Sequence, residues 1–217
     1  MSSQAVEEYL EALYKLSESG PVRQARLAEH LGLSQTAAAA MVKKLISLQL
    51  AERDEAAYIN LTKRGTKAAL ETIRKHRLSE RFLTDILGLP WEKAHEEACK
   101  LEHVISPEVE DGLDRLLNNP KSCPHGHPIP DKQGVVTTLP TRPLSDLGAD
   151  EKGVIARVSE DDPEMLKYLA TLGLMPDVEI VVEEIGPFNG PLLVQIGAAR
   201  YALGRDLAER IMVKESA

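Results

Sequence analysis

The sequence predicts a mainly helical protein with a small proportion of β-structure, arranged as an N-terminal winged helix-turn-helix, a helical middle region and a small C-terminal β-barrel. Three observations lead to this prediction. Apolar residues recur at helical spacing through the first half of the chain, two short strands follow the third predicted helix, and the tail consists of short strands broken by Gly and Pro. We expect domains at residues 1–72, 73–130 and 151–217, with 131–150 as a linker.

The first domain is predicted element by element. Residues 5–19 carry apolar side chains at helical spacing and are followed by Gly20, which predicts an amphipathic helix. The next segment predicts two helices separated by a turn at Gly32, with Ser34 as the N-cap of the second. Two short strands around an acidic turn follow, and Thr62 caps the next helix. This is the layout of a winged-helix DNA-binding domain, and a helical bundle with an incidental hairpin is the alternative.

Charge is unevenly distributed along the chain. The net charge is -8, which taken over the whole chain argues against a nucleic-acid partner. Residues 22–75 nevertheless hold ten Lys and Arg against five Asp and Glu, whereas residues 76–217 hold fifteen against twenty-five. Because charges are screened beyond about 10 Å at ordinary salt, a locally positive module can still bind DNA phosphates.

The predicted recognition helix, SQTAAAAMVKK, is rich in Ala. Ala side chains can meet thymine methyl groups but cannot hydrogen-bond to base edges. Specificity should therefore depend on DNA shape, on methyl contacts and on the polar residues at the start of the helix. The predicted DNA-binding residues are Arg26, Ser34, Gln35, Thr36, Ala37, Ala40, Lys43, Lys44 and Arg53.

The middle and the tail of the chain differ in character. A long helix is predicted from about residue 65 to the Gly-Leu-Pro at 88–90, followed by a helix around residues 95–103 and another with Ser106 as N-cap and Pro107 in its first turn. Repeated Pro and Gly make residues 118–150 a predicted connector. Beyond it, five short strands and one helix indicate a small barrel.

The composition of the chain indicates in which cellular compartment the protein acts. No stretch approaches the roughly 18 apolar residues of a membrane span, and the N-terminus lacks the basic and apolar regions of a signal peptide, so we expect a cytoplasmic protein with no membrane partner. Cys99 and Cys123 are the two cysteines, too few for a disulfide framework. In a reducing compartment they favour thiol or metal chemistry.

A metal-binding face is predicted from residues 95–103, HEEACKLEH. On a helix, four potential ligands of this segment fall within a stripe roughly 100° wide, beside a separate apolar face. They are His95, Cys99, Glu102 and His103. A solvated polar face is the alternative, but Cys is usually buried and His is infrequent on such faces. One helix earlier, His76 and Glu80 are four residues apart and can offer nitrogen and oxygen donors on one face.

Two other functions fit parts of this pattern. HEEAC differs from the His-Glu-x-x-His signature of zinc hydrolases in having Cys99 in place of the second His, with Glu96 as the candidate general base. No substrate-positioning motif accompanies it, and an enzyme would leave the winged helix unexplained. A structural metal protein or metal buffer that binds DNA constitutively is the second alternative.

Behind the winged helix, the segments RKHRLSERFLTDILGL, HEEACKLEHVIS and CPHGHPIP resemble, in this order, the diphtheria-toxin-repressor family of metal-dependent transcriptional regulators. The resemblance spans about residues 5–130 and extends more weakly to the family's SH3-like tail. It implies a winged helix, a helical dimerisation domain and an SH3-like domain. It further implies a homodimer that binds palindromic double-stranded DNA operators when loaded with Mn(II) or Fe(II), represses metal-uptake genes and takes no small-molecule substrate.

The resemblance also implies two metal sites per subunit. The ancillary site would consist of His76, Glu80, His95 and Glu160. The primary site would consist of Glu8, Glu11, Cys99, Glu102, His103 and Cys123, where Cys123 matches the streptococcal manganese branch. His125 and His127 are expected to be structural. Two thiolates favour Fe(II) or Zn(II), whereas the carboxylates of Glu8 and Glu11 favour Mn(II), so the metal stays open and Zn(II) or Co(II) can substitute.

Overall fold

The computed structural model describes residues 3–160 and 162–215, and the chain divides into two compact units. The first unit comprises Met1–His76, Leu101–Ile105 and Pro130–Val135. The second comprises Arg77–Lys100, Ser106–Ile129 and Val136–Ala217.

The first unit contains a winged helix. Its elements are α1 (Gln4–Glu18), α2 (Gln24–His30), α3 (Gln35–Ser47), β1 (Ala51–Arg53), β2 (Ile59–Leu61) and the start of α4 (Lys63–Arg81). β1 and β2 pair antiparallel, with Glu52 opposite Asn60. The apolar faces of the first three helices share one core, whose fully buried members include Leu10, Leu13, Leu27 and Leu45.

Local hydrogen bonds fix the helix starts that the sequence predicts. The Ser34 hydroxyl accepts a hydrogen bond from Ala37 N at 3.2 Å and caps α3. Thr62 Oγ1 accepts one from Gly65 N at 3.1 Å at the start of α4. Gly65 lies so close to the Leu50 carbonyl oxygen that a Cβ at this position would overlap it. The predicted helix-turn-helix and wing are therefore confirmed.

The helices of the second unit follow the predicted order with one change. The α-helical part of α4 ends at Arg81 and continues as a π-helical turn over Phe82–Ile86, before α5 (Trp91–Leu101) and α6 (Pro107–Leu116). Thr84 Oγ1 lies 3.0 Å from Glu80 O and 3.2 Å from Arg81 O and can donate a hydrogen bond to either carbonyl oxygen. Such a bond competes with the backbone N–H groups that would otherwise bind these oxygens in a regular helix. Within the described ranges, no helix is long and apolar enough to cross a membrane.

The C-terminal part of the second unit is a six-stranded antiparallel sheet with short helices. Its strands lie in the order β3-β8-β4-β5-β6-β7. They are β3 (Arg142–Pro143), β4 (Glu151–Val158), β5 (Glu179–Ile185), β6 (Leu192–Ile196), β7 (Ala199–Leu203) and β8 (Ile211–Lys214), with α7 (Pro163–Leu172) and α8 (Arg205–Ala208) between them. The predicted strands and the helix at α7 are confirmed, and they enclose one apolar core.

The sheet begins earlier in the chain than the sequence predicts. The sequence places residues 142–147 in a linker, but β3 pairs with β8, and Leu144 and Leu147 are buried in the core. Pro143 is one of the Pro and Gly residues that make this part of the sequence resemble a linker. A Pro is tolerated here because β3 is an edge strand, where its missing N–H leaves no ladder bond unmade.

Candidate metal centres and nucleic-acid interface

A buried cluster of carboxylates and imidazoles lies in the first unit. The His76 Nδ1 is 2.5 Å from Glu102 Oε2, and donor atoms of Glu11, His76 and Glu102 all lie within 4.8 Å of one another. These three residues are at most 9% exposed. Oxygen and nitrogen donors at this separation can surround a single divalent cation.

His103 extends this cluster toward the beginning of α1. Its Nδ1 lies 2.7 Å from Glu7 Oε2, and its Nε2 lies 3.1 Å from Glu102 Oε1 and 3.9 Å from Glu8 Oε1. The cluster thus contains four carboxylates and two imidazoles. We name it the α1 centre and define it as Glu7, Glu8, Glu11, His76, Glu102 and His103.

The electrostatics of the α1 centre favour a bound cation. Burial raises the pKa of the Glu102 carboxyl, the charge of Glu11 raises it further, and His76 and His103 oppose the rise. Lys15 Nζ is 3.0 Å from Glu11 Oε1 and supplies one compensating positive charge. A divalent cation among these carboxylates would stabilise their charged forms.

A second buried cluster lies in the second unit. Donor atoms of four residues lie within 4.8 Å of one another, and all four side chains are buried. We name it the buried centre and define it as Glu80, Cys123, His125 and Glu160. The His125 Nδ1 is 3.2 Å from Glu80 Oε1 and 4.0 Å from both Glu160 Oε2 and Cys123 Sγ.

A closed loop presents Cys123 and His125 to the buried centre. Ser122 and Pro128 form a β-bridge across its ends, and Cys123 N donates to His127 O at 2.9 Å. Two arginines of α4 hold these ends, because Arg77 donates to Pro128 O at 2.5 Å and Arg81 Nε donates to Ser122 O at 2.7 Å. Backbone hydrogen bonds and two arginine side chains therefore hold the loop in place without a metal ion.

Two further histidines flank the buried centre. The His95 Nδ1 lies 3.4 Å from Glu80 Oε1 and 3.9 Å from Glu160 Oε1. The His127 Nε2 lies 3.0 Å from Val158 O and 3.7 Å from Glu160 Oε2. Burial lowers the pKa of His127, so its neutral form is favoured, and a neutral ring can donate to the Val158 carbonyl.

The thiol of Cys123 is in an unusual environment. Complete burial raises its pKa well above the ordinary value, the charges of Glu80 and Glu160 add to the rise, and Arg77 opposes it. A thiol of this kind becomes a ligand when a cation replaces its proton. Thiolate, imidazole and carboxylate donors together suit Fe(II), Co(II) and Zn(II), and the oxygen donors also suit Mn(II).

Most of the ligands that the resemblance implies lie in these two clusters. Glu80, His95 and Glu160, which the resemblance assigns to the ancillary site, lie in the second unit beside Cys123 and His125. In the first unit, His76 lies beside Glu11 and Glu102. The α1 centre contains four residues of the implied primary site, namely Glu8, Glu11, Glu102 and His103. It also contains Glu7, which the resemblance does not assign to either site. Cys99 Sγ lies 3.9 Å from His95 Nε2 on the same helix.

His125 and Glu7 are the two cluster members that the sequence-based assignment left out. His125 was expected to be structural, although its spacing of two residues from Cys123 is typical of a metal-binding loop. Glu7 adjoins Glu8 at a helix start, where carboxylates are common because of the helix dipole. No local pattern distinguishes which of these neighbouring carboxylates approaches His103.

The two thiols are expected to differ sharply in reactivity. In the native metal-free protein, Cys99 should react with iodoacetamide at least about tenfold faster than Cys123, because Cys99 is half-buried whereas Cys123 is fully buried with a raised pKa. Mass spectrometry of tryptic peptides over time measures both rates. In denaturant the two rates should become similar, and equal rates in the native protein would contradict the described burial.

The exposed face of α3 carries the residues predicted to contact DNA. Ala38, Val42 and Leu45 are buried against the core. The opposite side is exposed and consists of Gln35, Thr36, Ala37, Ala40, Lys43 and Lys44. This division between core and solvent is typical of a recognition helix.

Two of the residues predicted to bind DNA form hydrogen bonds within the winged helix itself. The Arg26 guanidinium donates to Gly20 O and Pro21 O at 3.3 Å and to Ser19 Oγ at 2.6 Å. Arg26 is thus engaged in the turn between α1 and α2, which favours a structural role over a phosphate contact. The Arg53 guanidinium donates to Gln24 Oε1 at 2.8 Å and remains exposed.

Three models of known protein domains match successive parts of the chain. The model of the N-terminal DNA-binding domain of iron-dependent repressors matches residues 1–52. The model of their metal-binding and dimerisation domain matches residues 62–131, and the FeoA domain model matches residues 142–215.

Whole-chain similarities point to the same family. The chain is 33% identical over 229 residues to the iron-dependent repressor IdeR of Mycobacterium tuberculosis, with 96% of each chain covered. A manganese-dependent transcriptional repressor in complex with manganese is 35% identical with a TM-score of 0.91, covering 97% of this chain and 100% of that one. ScaR with bound Cd2+ is 32% identical with a TM-score of 0.84, covering 97% and 99%.

A winged helix, clustered ligands and these similarities support one conclusion. The relatives are DNA-binding repressors, so the zinc-hydrolase alternative is not supported. The chain belongs to the diphtheria-toxin-repressor family and is a metal-dependent, DNA-binding transcriptional repressor and not an enzyme.

Proposed function

We propose that the protein represses metal-uptake genes in response to Mn(II) or Fe(II), as a homodimer on palindromic operators, with two metal centres in each subunit. The observation that carries the proposal is the pair of clusters, the α1 centre and the buried centre, each with at least three donor groups within reach of one ion. The relatives named for their dependence on iron or manganese support the choice of metals.

The α1 centre links the first helix to α4 within the DNA-binding unit. Its carboxylates from α1 lie beside His76 of α4, and α1 also packs against the other helices of the winged helix. A divalent ion would supply the positive charge that offsets the repulsion between Glu11 and Glu102. With that repulsion offset, the ligand residues hold α1 and α4 in one arrangement.

Regulation requires discrimination between two arrangements and not merely tight binding. If the arrangement that binds DNA holds the metal ~100-fold better than the alternative, the equilibrium shifts by about 2.7 kcal/mol. An ion that bound both arrangements equally well would change nothing. The α1 centre suits this requirement because its ligands come from separate segments, 7–11, 76 and 102–103, so that a different arrangement of those segments would separate the donor atoms.

The donor sets lead us to propose related but unequal metal preferences. The α1 centre offers carboxylate oxygen and imidazole nitrogen, a set that suits Mn(II) and Fe(II). The buried centre adds the sulfur of Cys123, which favours Fe(II) and lets Co(II) or Zn(II) substitute.

A second copy of the chain is the proposed partner of α6 and of the turn after α4. Within 107–116, no α6 side chain is buried, although Val109 and Leu116 are apolar and 52% and 57% exposed. Ile86 and Leu87 are also exposed, at 49% and 61%. Apolar surface of this kind is typical of an interface, and the matched family model is described as a dimerisation domain.

The exposed face of α3 is the proposed reader of the operator. Lys43 and Lys44 would contact phosphates, while Gln35 and Thr36 and the methyl groups of Ala37 and Ala40 would face base edges. Two such helices in a dimer would read the two halves of a palindrome. Because the chromosome is its target, we propose that the protein acts in the cytoplasm.

A metal titration of DNA binding tests the proposal. Duplexes selected from random DNA in the presence of Mn(II) serve as the probe, and fluorescence anisotropy reports affinity with Mn(II), Fe(II), Co(II), Zn(II) or chelator. We expect Mn(II) or Fe(II) to increase affinity at least ~100-fold over chelator. Equal affinity with metal and with chelator would instead identify a metal buffer that binds DNA constitutively.

A further inference from the structure

Trp91 holds the imidazole of His125 through two separate contacts. The His125 Nε2 lies 3.0 Å from the Trp91 carbonyl oxygen, and the two rings stack with centroids 5.3 Å apart and 28° between their planes. Trp91 is 8% exposed and His125 is fully buried. In such a low-dielectric environment the hydrogen bond is stronger than it would be in water.

The hydrogen bond determines which nitrogen of His125 carries the proton. A carbonyl oxygen can only accept, so Nε2 must donate, and a neutral ring then has its lone pair on Nδ1. Nδ1 is the atom that faces Glu80 Oε1 at 3.2 Å and Cys123 Sγ at 4.0 Å. Turning the ring by half a revolution would replace nitrogen with carbon at both contacts, and the stacked indole opposes that rotation.

Trp91 is itself firmly anchored. Its indole belongs to the apolar core of the sheet domain. It is also the first residue of α5, where Pro90 O accepts a hydrogen bond from Lys93 N at 2.9 Å. One turn later the same helix places His95 Nδ1 3.4 Å from Glu80 Oε1. One helix start therefore orients His125 and directs His95 toward the same carboxylate.

We infer that Trp91 is a positioning residue of the buried centre, which keeps His125 in the Nε2–H tautomer with Nδ1 available to a metal ion. The inference rests on the proposed function, because it requires the buried centre to bind metal. Trp91 is the only tryptophan of the chain and stacks on a ligand of this centre. Its fluorescence should therefore report occupancy of the buried centre.

Cobalt binding in a protein with a single thiol tests the inference. In a Cys99→Ser background, Cys123 is the only cysteine, so thiolate-to-Co(II) charge-transfer absorption reports the buried centre. Trp91→Ala retains the backbone carbonyl but removes the stacked indole that opposes rotation of the imidazole. We expect it to lower the Co(II) affinity read from this band by ~10-fold, the lower end of the usual effect of removing a group that orients a ligand. Trp91→Phe keeps a ring against the imidazole and should stay within about threefold of the parent.

In the parent, Trp91 emission should change with the same midpoint as the absorption. A second measurement needs no substitution at Trp91 and holds even if Trp91→Ala does not fold. In the Zn(II)-loaded parent, ring ¹⁵N NMR should find the His125 proton on Nε2 and the metal on Nδ1.

Each contrary result overturns a defined statement. Unchanged Co(II) affinity in Trp91→Ala, equal losses in the Ala and Phe variants, or the opposite tautomer of His125 would overturn the role of Trp91. Emission that stays constant while the absorption saturates would overturn its use as a reporter. Absence of charge-transfer absorption in the parent would overturn the buried centre itself, and the inference with it.

Discussion

Replacing Glu102 with alanine is expected to abolish metal-activated operator binding, with a loss of at least ~100-fold in affinity at saturating Mn(II), or about 2.7 kcal/mol. Glu102 is 2% exposed, and its two oxygens lie 2.5 Å from His76 Nδ1 and 3.1 Å from His103 Nε2. Its removal takes away the carboxylate that joins the two imidazoles of the α1 centre. Fluorescence anisotropy with selected operator DNA measures the loss.

The Glu102→Ala protein should remain folded, because the substitution removes a buried carboxyl whose charged form is already disfavoured by burial and by Glu11. Circular dichroism and thermal unfolding of the metal-free protein check this. Glu97→Ala is the matched control, since Glu97 is exposed and forms a surface ion pair with Lys100 at 2.8 Å. A Glu102→Ala protein that responds to Mn(II) like the parent would contradict the assignment of the α1 centre.

Substituting Gly126 with alanine should destabilise the second unit by roughly 3 kcal/mol or more and displace the loop that carries Cys123 and His125. Gly126 has φ +90°, and a Cβ at this position would overlap the Ala156 carbonyl oxygen. Because that oxygen belongs to the backbone of β4, no side-chain movement relieves the overlap. Chemical denaturation measures the stability, and the Co(II) charge-transfer band of a Cys99→Ser background measures the buried centre.

Gly197→Ala separates backbone strain from steric overlap. Gly197 also has a positive φ, +57°, but a Cβ there would meet nothing within 4 Å. Its substitution should cost only ~1–2 kcal/mol and leave Co(II) binding unchanged. If the two alanine variants proved equally stable, close packing of the loop against β4 would not be the cause of the glycine requirement.

Local rules in the sequence were sufficient for most elements of the fold. Ser34 and Ser106 cap the helices that their positions predict, and the strands β4 to β8 follow the predicted breaks at Gly and Pro. Caps and turn residues act on neighbouring backbone groups, so they can be read without knowledge of the tertiary structure. The sequence does not predict β3, because two residues are too few to show the alternation of apolar and polar side chains that indicates a strand. Only the pairing with β8 makes them a strand.

The metal centres show where local rules stop. His76 and Glu80 are one helical turn apart, a spacing that allows a shared ion. In the structure, His76 lies beside Glu11 and Glu102, and Glu80 lies beside Cys123, His125 and Glu160. Side-chain direction and the partners brought by other segments therefore decide which ion each ligand can reach.

By itself, the sequence determined the winged helix, the exposed polar face of α3 and the presence of most of the side chains that the structure gathers into two clusters, because periodicity, capping and donor chemistry are local properties. Only the tertiary structure decided that Glu7 approaches His103, that Arg26 is engaged in a turn, and that His125 enters the buried centre. The physical reason is that each of these outcomes depends on a contact between distant segments. In the last case, a carbonyl oxygen from residue 91 directs a nitrogen of residue 125 toward a carboxylate from residue 80.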